Sequence, residues 1–308
     1  MALSVLSSIA EMFGLFAIGW IVNRLRFFEP ADFDRLSRLV VEVLFPCLIF
    51  QSLVTGLDTA RLGELWLLPL LGFGLMAVGG VCGAYLRRGL RSDDPGVAAA
   101  FHHICAINNY GFLPIFIITN SMVPEALALF FVFNLGSTVG YWTVGVIVLE
   151  PGGTTIRSTM RKLVSPSMVA IALGMLVALA GGREWMPQFV MRVTGLAGGI
   201  SVPLILIIIG ALLGASFRRE HARDLVYITV LRVAVLPALY ILLIWWLPLA
   251  DDVRTICYIV SLMPAAATSV IMARVYGGSS EFAAAATVTT TIASIVTIPL
   301  ALHLLLGG

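Results

Sequence analysis

Two short segments carry most of the polar chemistry of this chain. Ile107 to Phe116 reads INNYGFLPIF, and Ser261 to Ser269 reads SLMPAAATS. In the first, Pro114 removes an amide donor and crowds the preceding turn, while Gly111 lowers the cost of unwinding. Backbone groups freed in an apolar run need partners. Asn108 and Asn109 supply donors and an acceptor each, either to that unwound backbone or to a polar solute. In the second segment Pro264 is followed by three alanines and then by Thr268 and Ser269. Small residues admit a crossing backbone, and the hydroxyls turn toward a cavity or toward their own helix. Helix N-termini at such breaks offer partial positive charge to an anion without a buried lysine. The chemistry is recognition of a small solute between the two breaks.

Other polar residues inside apolar runs have narrower readings. Glu11 and Glu42 are carboxylates at a depth where an unpaired charge is costly, so either is a candidate to carry a proton or to reach interfacial water. Arg232 is a candidate counter-charge to an anion, or an arginine that snorkels to a helix end. Asn134, beside Gly136, Ser137 and Thr138, reads as an interhelical contact or as lining for the substrate path. His102, His103 and Cys105 point to successive helix faces and lack a fourth ligand, so no metal is expected. The chain has no H-E-x-x-H, G-x-S-x-G or Walker segment, which leaves zinc proteases, serine hydrolases and nucleotide-driven pumps without their working parts. No cofactor and no enzymatic activity are expected. The four cysteines form no C-x-x-C pair and read as reduced, small hydrophobes.

The elements that position these residues follow from composition. The 308 residues are 59% hydrophobic and only 12% charged, with a mean hydropathy of +1.00. That excludes an ordinary soluble globule, a disordered chain and a nucleic-acid-binding protein. Apolar runs long enough to cross a bilayer fall at 3–22, 36–56, 64–86, 96–120, 124–149, 164–181, 195–215, 225–248, 252–276 and 281–306. The prediction is an all-α polytopic protein of ten transmembrane helices, with no separate soluble domain. Fourteen of the 19 basic residues fall on one side of these runs and four on the other, Arg232 lying within a run. The positive-inside rule puts both termini on the extracytoplasmic side. Met1 to Ala10 has no basic residue and no processing site, so the first run is expected to be a retained span.

Five runs lie on each side of a short loop at 150–163. An odd number of spans per half inverts the second half, so residues 1–149 and 164–308 are expected to form two inverted repeats. Pro46 and Pro203, Pro114 and Pro264, and Glu125 and Glu281 occupy corresponding places in the two halves.

The segment from Met263 to Leu300, with Arg274, Tyr276, Gly277, Ser294 and Pro299 as landmarks, resembles the last two helices of the auxin efflux carrier family. Ser165-Pro166 before ALGMLVALAGG, Val202-Pro203-Leu204 before IGALLG, and Arg232 ahead of Pro237 are similar to other parts of that family. Asn109 with Gly111, Phe112 and Leu113 fits the family's first crossover motif, but Pro114 stands where glycine is usual and Phe116 where proline is usual. The resemblance implies two inverted five-helix repeats whose fourth and ninth spans cross near their breaks. It implies a scaffold of spans one, two, six and seven that often dimerises, and elevator-like movement of small organic anions such as carboxylates. The central loop is short, so a bacterial inner-membrane member is the better match. The substrate set is then Asn108, Asn109, Gly111, Pro114, Asn134, Arg232, Pro264, Thr268 and Ser269. Two rivals remain: a membrane sensor on the same fold, and a sodium-coupled carrier of bile-acid type.

Overall fold

The computed structural model describes residues 2–58, 62–149, 165–212 and 221–306. The central loop at 150–163, with Arg157, Arg161 and Lys162, lies outside the described residues, as do Arg61, Arg218 and Arg219.

The described chain is helical, and its one departure toward sheet is an isolated bridge. The first half holds α1 (Ala2–Arg24), α2 (Pro30–Leu39), α3 (Phe45–Gly56), α4 (Leu67–Leu86), α5 (Pro95–Ala106), α6 (Phe112–Ser121) and α7 (Pro124–Trp142). The second half holds α8 (Pro166–Leu179), α9 (Gln188–Leu212), α10 (Ala222–Val230), α11 (Leu236–Trp245), α12 (Asp251–Ser261), α13 (Thr268–Val275) and α14 (Ser280–Leu306). Among the described residues, six stretches are long and apolar enough to cross a membrane: Arg35–Gly56, Leu67–Gly89, Pro124–Ile147, Gln188–Ala211, Ala222–Trp245 and Ser280–Leu305. Phe112–Ser121 and Pro166–Leu179 are shorter apolar helices. The expected fourth and ninth spans are each divided into two half-helices, none of which reaches the roughly 20 residues a single span needs.

Local sequence explains most of the punctuation. Asp94 accepts the Gly96 amide at 2.7 Å and Pro95 opens α5, while Ser165 accepts the Met168 amide at 3.3 Å ahead of Pro166 in α8. Two prolines produce π-turns in place of sharp kinks. Because Pro46 has no amide, the ladder ahead of it widens and the Phe45 amide reaches the Val40 carbonyl across Val40–Leu44. Pro237 does the same to Leu231–Val235, where the Leu236 amide reaches the Leu231 carbonyl. One boundary is corrected. The run expected from 195 begins at Gln188, which brings Arg192 onto the exposed side of α9 rather than into a loop.

Glycines decide the closest helix approaches. α1 packs along α9, where a Cβ at Gly19 would meet the Ile207 carbonyl and one at Gly210 would meet the Phe16 backbone. α4 and α7 approach in the same way, through Gly72 against Phe133 and Gly136 against Pro69. α3 packs on α8 and α9, and α14 packs on α13 and α10. Outward faces carry large apolar side chains such as Trp20, Leu70, Leu176, Phe189, Trp245 and Leu300, as a lipid-facing surface requires.

Candidate functional site at the helix crossing

The two interrupted helices meet at their breaks. α5 ends at Ala106 because Ile107 and the residues after it turn extended, and α6 starts from Gly111. α12 ends at Ser261, and α13 starts at Thr268 after the Pro264 segment. Between the breaks, Asn108 and Ala265 form an antiparallel bridge, and the Asn109 amide donates to the Pro264 carbonyl at 2.8 Å. The unwound segments therefore satisfy one another's backbone at the centre of an apolar protein, where water does not.

The prolines have different places in the two breaks. Pro264 sits within the unwound segment and contributes its carbonyl. Pro114 is the third residue of α6, where a helical amide has no intrahelical partner in any case.

Side chains complete the frame. The Asn108 carboxamide donates to the Val260 carbonyl at 2.6 Å, closing the end of α12. Arg232 is fully buried, and its guanidinium reaches both breaks: Nε donates to the Met263 carbonyl and Nη1 to the Cys105 carbonyl, each at 3.2 Å. Its charge thus lies on carbonyls freed near the C-terminal ends of α5 and α12, where the helix dipoles are negative. Tyr240, one turn beyond Pro237, adds a hydroxyl to this group. From α14, Thr290 accepts the Ala265 amide at 3.2 Å and Thr287 donates to the Ala266 carbonyl at 3.4 Å.

Several buried polar groups have no hydrogen-bond partner among the described residues. The Asn109 side chain is nine-tenths buried and makes no hydrogen bond to another described residue. Arg232 Nη2, Ser269 Oγ and Asn134 Oδ1 are buried without a partner. Thr268 stands beside the Tyr141 hydroxyl, and the Tyr141 ring lies against that of Tyr110 with centroids 5.7 Å apart. Asn134 stands two turns before Tyr141 on the same face of α7. Asn108, Asn109 and Ser269 are buried while Thr268 at the start of α13 is exposed and Gly111 is half-buried; a cavity of about 520 Å³ opens elsewhere, beside Trp20, Asn23, Arg24 and Arg26.

The structure therefore brings Asn108, Asn109, Pro264 and Arg232 together, with Thr268 and Ser269 opening the helix that follows the break. It does not bring in the two carboxylates. Glu11 lies on an exposed face of α1, and Glu42 is exposed and paired with Arg38 at 3.2 Å. Sequence reading passed over Tyr110, Tyr141, Thr287 and Thr290. Tyr110 lies inside the polar motif itself, and the density of threonines in α14 was the available signal for the last two. Among the described residues no group of three or more His, Cys, Asp and Glu residues is placed to hold a metal ion, and the four cysteines are free thiols.

Comparison with known proteins adds two findings. The family described as "Membrane transport protein" matches residues 4–158 and 154–302. The chain is also 26% identical over 290 residues to an "Uncharacterized transporter" of Methanothermobacter thermautotrophicus, covering 93% of each chain.

Proposed function

Because the chain belongs to the membrane transport protein family, the auxin efflux carrier family that its own motifs resemble, we propose that it is a secondary or facilitative transporter of small organic anions. The observation that carries this reading is the joined pair of breaks, with a buried Asn109 carboxamide left unpaired beside them. Interrupted helices at matching places in two halves mark midplane binding sites in inverted-repeat carriers. Residues 1–149 and 164–308 are then two inverted repeats of five spans, each crossing helix counting as one span made of two half-helices. The assembly resides in a bacterial inner membrane with both termini outside, and dimerises through its scaffold.

In this reading the charges are divided by role. Arg232 offsets the carbonyl ends of α5 and α12, which leaves the N-terminal ends of α6 and α13 free to receive a carboxylate. Gly111 and Pro114 shape the first of these ends, and Thr268 and Ser269 the second. Asn109 and Asn134 contribute carboxamides, and Arg232 Nη2 contributes the remaining positive contact. Asn108 and Pro264 hold the crossing in shape. Alternating access follows from an elevator-like shift of the crossing helices against the scaffold of α1, α3, α8 and α9. No bond is made or broken, so no enzymatic step is assigned.

The deciding experiment is exchange flux in proteoliposomes with malonate, malate, a monocarboxylate and an indole carboxylate. Saturable exchange of one acid is expected, independent of sodium. Sodium dependence would favour a bile-acid-type carrier, and no flux from folded protein would favour a sensor.

A further inference from the structure

His103 is a fully buried titratable group close to the crossing, and the transport reading gives it no role. It lies one turn before Ile107, where α5 stops. Its Nδ1 is 2.8 Å from the Gly145 carbonyl, and since a carbonyl only accepts, Nδ1 carries the hydrogen. Nε2 is then the basic nitrogen, and it is buried without a partner. The neighbouring histidine differs: His102 Nε2 lies 2.7 Å from the Gly80 carbonyl, so its buried edge is engaged. The His103 ring also packs edge-on against Tyr141, with centroids 6.4 Å apart. Tyr141 is the residue that contacts Tyr110 in the first break and stands beside Thr268 at the start of α13. A vacant lone pair therefore stands one ring away from the anion site.

The elements around His103 carry several titratable and charged groups. α5 itself carries His102 and Cys105, α4 carries Cys82 and Tyr85 with Arg87 and Arg88 in the turn after it, α7 carries Glu125 at its first turn and Tyr141 at its last, and Tyr110 follows in the break. From α10 through α11 come Arg223, Asp224, Tyr227, Arg232 and Tyr240. Asp224 is engaged by the Arg91 and Ser92 amides, and Arg232 by the Cys105 carbonyl. α13 contributes Arg274, with Tyr276 after it, and α14 contributes Glu281 at its first turn. No carboxylate among the described residues is hydrogen-bonded to or paired with His103. In these surroundings an imidazolium has little to offset it until an anion arrives, and by linkage the proton favours the anion as much as the anion favours the proton.

We propose that His103 Nε2 is a proton-binding site of the carrier, taking one proton from water as an organic anion occupies the crossing and returning it as the anion leaves. The acid then crosses as an anion and proton together. This rests on the transport reading above, and the test separates the two. In proteoliposomes holding a trapped pH dye, exchange of the same four acids is measured first at equal pH, and net uptake is then measured under an inward proton gradient. For a monoanion, one-to-one coupling sustains about tenfold accumulation per pH unit, with acidification of the lumen. His103→Asn keeps an amide hydrogen for the Gly145 carbonyl but does not titrate; it is expected to exchange still and to lose the gradient-driven accumulation. His103→Gln is read the same way if the first variant misfolds, and His102→Asn is expected to accumulate normally. Accumulation by His103→Asn equal to the parent would overturn the proposal. So would a parent that exchanges but ignores the gradient, or loss of coupling in Glu11→Gln or Glu42→Gln with His103→Asn still coupled. Absence of exchange for every acid would instead remove the transport reading itself.

Discussion

Asn108 and Ala265 face each other as an antiparallel bridge at the one depth where two long helical runs both stop being helical. Each break leaves backbone groups that an apolar interior does not satisfy, and each supplies what the other lacks, as in the 2.8 Å bond from the Asn109 amide to Pro264. This pairing ties the two halves of the chain together at the proposed binding site.

Adjacent asparagines are expected to fail differently. Asn108→Ala removes the 2.6 Å bond to Val260, whose carbonyl keeps only the longer 3.2 Å bond from the Met263 amide; the loss costs about 0.5–1.5 kcal/mol and lowers the melting temperature in detergent. Asn109→Ala breaks no side-chain bond to a described residue, so abundance and melting temperature are expected to stay near the parent while flux is lost. Unchanged flux in Asn109→Ala would remove Asn109 from the site.

Arg232 holds two carbonyls with one planar group, a geometry that lysine does not reproduce. Arg232→Lys is expected to lower the melting temperature while keeping the preference for anions. Arg232→Gln loses both, weakening charged substrates more than uncharged analogues. Equal weakening of the two classes would make Arg232 a clasp for the breaks and nothing more.

Tyr141→Phe keeps the ring that packs on Tyr110 and His103 but removes the hydroxyl beside Thr268. The variant is expected to fold normally and to lose roughly three- to tenfold in flux, as for one neutral polar contact of about 1 kcal/mol made during transport. Parent-like flux would place that hydroxyl outside the transport cycle.

Gly210→Val sets a branched side chain against the Phe16 backbone, which has no rotamer with which to yield. Overpacking of this kind costs about 1–3 kcal/mol, and it should appear as a lower yield of monodisperse protein. Gly14→Val is the matched control, because nothing lies within 4 Å of a Cβ there; equal losses in both would mean that the α1–α9 approach is not limiting.

Several parts of this architecture are legible from residue order alone, because their causes are local. Proline and glycine beside asparagines in an apolar run mark an interruption wherever the rest of the chain goes, and INNYGFLPIF and SLMPAAATS both prove to be breaks. Arg192 shows the limit, since a charge inside an apolar stretch reads as a loop until the helix exposes it on its outer side. His103 shows it again: beside His102 and Cys105 it invites a metal reading, and only the Gly145 carbonyl assigns its hydrogen and leaves Nε2 bare.

Composition and spacing by themselves determined that this is a membrane protein, that it is helical, and where its helices fail. Tertiary structure decided what those failures bond to. Val260, Met263 and Thr290 lie far along the chain from Asn108 and Cys105, and nothing local to either segment says that they meet. In an apolar interior every freed amide and carbonyl must find a partner, and which one it finds depends on how the helices cross. That is why Arg232, legible in sequence as a counter-charge to an anion, is seen in the fold to hold both breaks at once.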